Sequence, residues 1–242
     1  MDDSVLRGKN ILVVDDEVNL REIVASELEF MGAHVFQAGN INASNEILQQ
    51  IKIDLIISDI RMPGGTGIDL LKIVKARNVL NPPVILITGF ADITSEEAYA
   101  FGAEALLNKP FELDELIEVS ARLIRPVENR FSDEVTGVVN KISLTSDLPL
   151  RKTPHFELGR GGVFLQTDNS RKYDIGEKVM IELKFSDVEL SALAVPRWAK
   201  LSDKDGKLCL GLEILKVDGK SFDYLQNYWQ TSPCLSFIPK SY

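Results

Sequence analysis

Asp54-Leu55-Ile56-Ile57-Ser58-Asp59-Ile60-Arg61-Met62-Pro63 is a short aliphatic run that closes on a hydroxyl and an acid before it turns. Leu55 to Ile57 carries no alternation of apolar and polar residues, so it reads as a strand buried on both faces. Three other runs share the pattern: Ile11 to Val14, Val84 to Ile87 and Ala105 to Leu107. Helix-like segments separate them, which predicts a parallel sheet with helices on both sides. Right-handed crossovers then point every strand the same way, so the residues just past the strand ends gather at one edge. That edge collects Asp15, Asp16 and Glu17, then Asp59, Thr88, and Lys109 with Pro110.

Carboxylates gathered in one crevice repel each other. A pair 4 Å apart costs about 4 kcal/mol at an effective dielectric of about 20. A hard divalent cation would relieve the repulsion, and all-oxygen ligands at a partly open site suit Mg²⁺. No Cys or His joins the cluster, which disfavours zinc. With a Lys ammonium and a Thr hydroxyl facing an exposed acid, the crevice is a receptacle for a phosphoryl group. Asp59 is then the expected oxygen nucleophile, carrying a transient acyl phosphate with Lys109 and Thr88 on the phosphoryl oxygens.

Residues from about 8 to 125 resemble the receiver domain of two-component response regulators. Ile11-Leu12-Val13-Val14-Asp15-Asp16-Glu17 matches its first strand and acidic pair, and Asp54 to Pro63 its phosphoacceptor strand and loop. Ile85-Leu86-Ile87-Thr88-Gly89 and Gly102-Ala103-Glu104-Ala105-Leu106-Leu107-Asn108-Lys109-Pro110-Phe111 supply the other two motifs. The resemblance implies a flavodoxin-like, doubly wound α/β fold on a five-stranded parallel sheet. It places the phosphoryl group on Asp59 and Mg²⁺ on Asp15 or Asp16, on Asp59 and on the backbone carbonyl of Arg61. It also implies a cis bond at Lys109-Pro110. One position departs from the family: Leu106 stands where receivers usually carry an aromatic ring that swings inward on activation. Leucine packs, but it lacks that ring. Gly64-Gly65-Thr66-Gly67 has neither a Walker tail nor dinucleotide spacing, so it is expected to be a flexible turn opening the next helix.

The chain has 242 residues and a net charge of −9, enough for two ordinary domains. Up to residue 126 there are 11 Lys and Arg against 20 Asp and Glu, and beyond it 16 of each. Neither half has the basic excess of a nucleic-acid binder, and no helix-turn-helix pattern is present, so DNA binding is not expected. No apolar stretch is long enough for membrane insertion, and the acidic start Met1-Asp2-Asp3-Ser4 is unlike a signal peptide. A cytoplasmic location is expected, with Cys209 and Cys234 reduced and Cys209 in the core. A helix is predicted from Glu112 to Leu123 and ended by Pro126. The expected division is 1–126, a linker at 127–133 around Glu128-Asn129-Arg130, and 134–242.

Beyond the linker the period changes to two. Val179, Ile181, Leu183 and Phe185 alternate with polar or longer residues, and further strands are predicted at Val135 to Leu144, Phe156 to Gln166, Glu189 to Ala199 and Leu208 to Val217. Short strands separated by turns predict an antiparallel β-barrel. A closing helix is predicted from Ser221, as N-cap, to Gln230. Trp198 and Trp229 are expected to pack in the barrel and its helix.

Residues 132–232 resemble the PilZ domain, a barrel that commonly binds cyclic di-GMP. Gly161-Gly162-Val163-Phe164-Leu165, Ile175-Gly176-Glu177-Lys178-Val179 and Leu210-Gly211-Leu212-Glu213 follow its order. The ligand motifs are degenerate. The family's Arg-x-x-x-Arg is missing, Arg151-Lys152 lying nearest, and Glu157-Leu158-Gly159-Arg160-Gly161-Gly162 has a lengthened acid and Gly159 in place of Ser. Losing an Arg fork and a hydroxyl costs on the order of 1–3 kcal/mol each. The expected output is a protein-interaction module; the alternative is a dual sensor binding cyclic di-GMP through Arg151, Lys152 and Arg160.

His34 and His155 stand alone, without partners at ligand spacing. An enzyme is not expected: a haloacid-dehalogenase-like phosphatase needs a second Asp two residues after the nucleophile, where this chain has Arg61. The family resemblance implies a sensor histidine kinase as phosphodonor. The segments 90–101 and 105–123 would form the responsive face, docking the barrel, a second copy as a homodimer, or a downstream protein target.

Overall fold

The computed structural model describes residues 5–78, 82–89, 92–125, 140–168, 172–231 and 236–240, without the side chains of residues 229 and 230. The chain divides into two compact units, Met1–Pro126 and Val127–Tyr242.

The first unit runs β1 (Asn10–Val14), α1 (Val18–Phe30), β2 (His34–Ala38), α2 (Ile41–Gln50), β3 (Leu55–Asp59), β4 (Arg61–Met62), β5 (Gly65–Thr66), α3 (Gly67–Arg77), β6 (Val84–Thr88), α4 (Ser95–Ala100), β7 (Ala105–Asn108) and α5 (Leu113–Ile124). Its five-stranded sheet has the order β2-β1-β3-β6-β7, and every pair is parallel. Consecutive aliphatic residues serve opposite faces, because side chains alternate along a strand. Ile11, Val13, Leu55, Ile57, Ile85 and Ile87 pack with Val24 and Leu28 of α1 and Leu116, Ile117 and Leu123 of α5. Leu12, Val14, Ile56 and Leu86 pack on the other face with Ile41, Leu70, Leu71, Val74 and Ala98 of α2, α3 and α4. Each such buried side chain contributes about 1.5–3 kcal/mol. This two-sided burial is why the runs lack alternation.

Away from the strand ends, two opposite charges are buried against each other. Lys75 of α3 and Glu104, just before β7, form a fully buried pair, and Glu104 also accepts the Val84 amide at 2.8 Å. The Gly64–Gly67 stretch is more ordered than a flexible turn: Gly65 and Thr66 form β5, paired with β4. Thr66 then caps α3 in a reciprocal box with Asp69.

The second unit runs β8 (Asn140–Thr145), a short 3₁₀ turn at Leu150–Lys152, β9 (Phe156–Leu158), β10 (Gly162–Thr167), β11 (Val179–Lys184), β12 (Glu189–Leu201), β13 (Leu208–Val217) and α6 (Gly219–Thr231). Its six strands form one sheet in the order β8-β11-β12-β13-β10-β9. The expectation of an all-antiparallel barrel needs correction: β8 pairs with β11 in parallel, making a mixed sheet, and among the described residues no β8–β9 pair closes it. Two register shifts in β12, at Leu193/Ala194 and Pro196/Trp198, bend it. The strand expected over 156–166 is two strands, turned back on each other at Gly159-Arg160-Gly161. The expected linker, Pro126 and the start of the strand placed at Val135 lie outside the described residues.

Ser221 does not cap α6. Asp218 does: its Oδ1 accepts the Ser221 amide at 2.7 Å, while the Ser221 hydroxyl is buried and accepts the Ser191 amide of β12 at 3.0 Å. The core gathers residues from all six strands with Leu225 of α6. Trp198 is buried on the opposite face, where its ring stacks 6.0 Å from Phe164. Cys209 is buried, and Cys234 and the Trp229 side chain lie outside the described residues. His34 is exposed in β2, and His155 is exposed at the turn before β9 with a positive φ of 61°.

Candidate functional site

The register of the parallel sheet sets the strand ends side by side: Val14 beside Ser58, Asp59 beside Ile87, and Thr88 beside Asn108. Asp15, Asp59, Thr88 and Lys109 therefore meet at the carboxyl edge, where open α/β sheets bind ligands. Lys109 Nζ lies 2.7 Å from Asp59 Oδ1, 3.1 Å from Glu17 Oε1 and 3.3 Å from Asp15 Oδ2. Asp15 and Asp59 are buried, whereas Asp16 and Glu17 are exposed. The bond before Pro110 is cis.

Each carboxylate is also held by the main chain. Asp15 Oδ1 accepts the Glu17 amide and Asp59 Oδ2 the Arg61 amide, both at 2.7 Å. These bonds leave Asp59 Oδ1 toward Lys109. Burial pushes the Asp15 carboxyl above its ordinary range, aided by the Asp59 charge and opposed by the Glu17 amide and Lys109. For Lys109, burial acts to lower the pKa, but hydrogen bonds to Asp59 and Glu17 and the charges of Asp15 and Asp59 outweigh it. The ammonium is held well above its usual range and stays charged.

Thr88 is buried, and its hydroxyl is directed at Gly89 O, 2.8 Å away, and Asp92 Oδ2, 3.1 Å away. Arg61 projects into solvent and forms an ion pair with Asp92 through Nε. Gly67 closes the back of the loop: a Cβ there would run into the Asp59 carbonyl oxygen and the Ser58 hydroxyl. Gly67 N donates to Ile60 O at 3.0 Å, so α3 begins against the Asp59 loop. Composition offers no signal for Asp92 or Gly67. Their roles come from contacts across the loop.

Among the described residues, no three His, Cys, Asp or Glu side chains form a metal-binding group. The donors at the edge are the buried carboxylates of Asp15 and Asp59, with the exposed Asp16 beside them in sequence. They fit Mg²⁺, which takes one or two carboxylates and keeps waters.

In the second unit, Arg151 and Lys152 edge a cleft of about 550 Å³ that also includes Phe156, Phe164 and Gln166. Arg151 donates to the Thr231 hydroxyl at 3.0 Å and lies 4.9 Å over the Tyr228 ring. Arg160 is buried and turned to Phe237, 5.8 Å from the ring centre, and is not among the residues lining that cleft.

A doubly wound parallel sheet carrying an acid, an ammonium and a hydroxyl at its strand ends defines an α/β domain of the flavodoxin-like class. Residues 11–121 match the profile of the response regulator receiver domain, and the first unit is a receiver domain of a two-component response regulator. The phosphate regulon transcriptional regulatory protein PhoB of Pseudomonas aeruginosa is 31% identical over 137 residues, which is 54% of this chain and 60% of that protein. The transcriptional regulatory protein FixJ of Bradyrhizobium diazoefficiens is 35% identical over 130 residues, 53% of this chain and 62% of that protein. Among solved structures, the response regulator protein TrrA of Thermotoga maritima in complex with Mg²⁺ and BeF is 32% identical with a TM-score of 0.44, covering 48% of this chain and 98% of that one. This chain spans 30%, 60% and 25% of three such curated relatives, PilR, PhoB and the regulatory protein AtoC. The profile match ends before the second unit.

Proposed function

We propose that this chain is a phosphorylation-controlled switch in which Asp59 takes a phosphoryl group from a sensor histidine kinase. The carrying observation is the 2.7 Å pair between Lys109 Nζ and Asp59 Oδ1 at the carboxyl edge, with Thr88 on the adjacent strand. Asp59 Oδ1 attacks the phosphorus of the donor, the bond from phosphorus to the donor atom breaks, and the donor leaves with the electron pair. Lys109 remains protonated and follows the negative charge from the carboxylate to the phosphoryl oxygens. Asp15, Asp59 and the Arg61 carbonyl would hold Mg²⁺, with Asp16 at its exposed margin. When bound, the ion supplies charge neutralisation at the phosphoryl oxygens. The side chain two residues past the nucleophile is Arg61, not a general acid, which supports a switch over a turnover phosphatase.

The product adds a charge of about −2 beside Lys109 and Thr88, which biases the face built by α4, β7 and α5. Leu106 of β7 packs partly buried against the α2–α4 side of the core, so this face responds without the family's swinging ring. We read the second unit as a PilZ-like output that contacts a downstream protein. A second copy or this unit itself could meet the responsive face. Arg151 engaged by α6, and Arg160 turned to Phe237, favour lost rather than retained cyclic di-GMP binding. Among the described residues no helix is long and apolar enough to cross a membrane, in keeping with a cytoplasmic role.

The test is mass spectrometry after incubation with acetyl phosphate and Mg²⁺. The expected result is one phosphoryl adduct, lost in Asp59→Asn. An unmodified wild type, or an unchanged adduct in the variant, would overturn the reading. Calorimetric titration of the full chain with cyclic di-GMP is expected to give no heat; saturable binding would favour the dual sensor.

A further inference from the structure

Thr88 has one hydroxyl proton and two oxygens within reach of it. Its acceptors are Gly89 O at 2.8 Å and Asp92 Oδ2 at 3.1 Å. The Asp92 side chain is 4% exposed, a position that a carboxylate occupies only when compensated. Its other oxygen, Oδ1, is paired with Nε of Arg61, whose own side chain is 75% exposed. Arg61 belongs to the Asp59 loop: its amide donates to Asp59 Oδ2 at 2.7 Å. One buried anion thus joins the switch hydroxyl to the loop of the acceptor.

We propose that Asp92 is a positioning residue, a latch that holds the Thr88 hydroxyl in the resting state with Arg61 as its anchor. The inference rests on Asp59 being the phosphoacceptor with Thr88 as hydrogen-bond donor to its phosphoryl group. A hydroxyl proton shared with a carboxylate sits in a charge-assisted bond. To reach the phosphoryl oxygens, Thr88 must give that bond up. The resting acceptor therefore competes with the phosphoryl group for one proton. A ligand shifts such an equilibrium only by its differential affinity for the two states, so weakening the resting state raises apparent affinity for the phosphoryl mimic.

The experiment measures beryllofluoride binding, in the presence of Mg²⁺, by the full chain and by Asp92→Ala, Asp92→Asn, Thr88→Val and the double variant Thr88→Val/Asp92→Ala. Asp92→Ala is expected to tighten binding about tenfold. Asp92→Asn keeps an acceptor without the charge, and is expected to tighten binding by no more than about threefold. In the Thr88→Val background, Asp92→Ala is expected to lose most of that gain, because the route through the hydroxyl is gone. Melting curves identify the folded variants, and Asp92→Asn keeps the test decisive if Asp92→Ala fails to fold: weaker binding by Asp92→Asn than wild type overturns the latch. Unchanged binding by a folded Asp92→Ala, or an equal gain with and without Thr88, overturns it too. A wild type that binds no beryllofluoride instead sinks the phosphoacceptor reading.

Discussion

Lys75 Nζ and Glu104 Oε1 lie 2.7 Å apart with both side chains at 0% exposure. The ammonium also donates to Glu104 Oε2 at 2.9 Å and to Pro82 O at 3.0 Å, so α3, the entry to β6 and the entry to β7 share one polar knot. Desolvating two charges offsets most of their attraction, but removing one strands the other. Lys75→Met alone should therefore destabilise the first unit by about 3–5 kcal/mol in denaturant unfolding, and Lys75→Met/Glu104→Leu should recover most of that loss. A double variant no better than the single one would show that the Val84 amide, left without Glu104, dominates.

Asp15 predicts a pH dependence of stability. Its carboxyl is raised by burial above the ordinary 3.8, so the folded state binds its proton more tightly than the unfolded state does. The stability associated with that proton is present below 3.8 and is lost as pH rises through the raised value. At neutral pH the buried charge is a burden. Asp15→Asn should raise the melting temperature at pH 7 and lose the advantage as pH falls through that window, while weakening Mg²⁺ binding in a fluorescence titration.

Gly67→Ala tests the joint between helix and acceptor. The added methyl would meet the Asp59 carbonyl oxygen, a backbone atom with no freedom to swing away. The substitution should cost about 1–3 kcal/mol or more and slow adduct formation with acetyl phosphate. Unchanged stability and rate would mean that α3 can slide without disturbing the loop.

In the second unit, Phe237 lies against Gly159 and Gly161, where a Cβ would strike its carbonyl and ring. The Gly161 amide donates to Phe237 O at 3.0 Å and the Arg160 amide to Ser236 O at 3.1 Å. Phe237→Ala should destabilise this unit by about 3–5 kcal/mol in calorimetry, with the receiver transition unmoved. A shift of both transitions would show that the units unfold together.

The receiver half was legible because burying a strand on both faces leaves an uninterrupted aliphatic run. The strand that no run announced, His34–Ala38, is at the sheet edge, with only Ala38 buried. Buried Lys75 and Glu104 were invisible for the opposite reason: charged residues in a helix and a turn read as solvent-facing until a partner is known. In the second half, period-two alternation reported strands but not directions. Asn140–Thr145 and Val179–Lys184 would alternate equally well in either sense, and their parallel pairing follows from the path of the chain. Gly159, Gly161 and Gly162 fall inside the single strand expected over Phe156 to Gln166, yet Gly161 is bare because Phe237 presses on it, and Gly162 because the Leu212 carbonyl and Ile238 do. The Thr88–Asp92 contact left no trace in the motif that contains Thr88.

Ile238 is fully buried and Phe237 nearly so, against a hairpin formed some 75 residues earlier in the chain. Domains generally fold as units during synthesis, the N-terminal one first. The receiver can therefore mature on the ribosome, whereas its companion must wait for residue 238 to emerge. Removing Phe237 and Ile238 would spare the receiver core and strip the glycine hairpin of its companion.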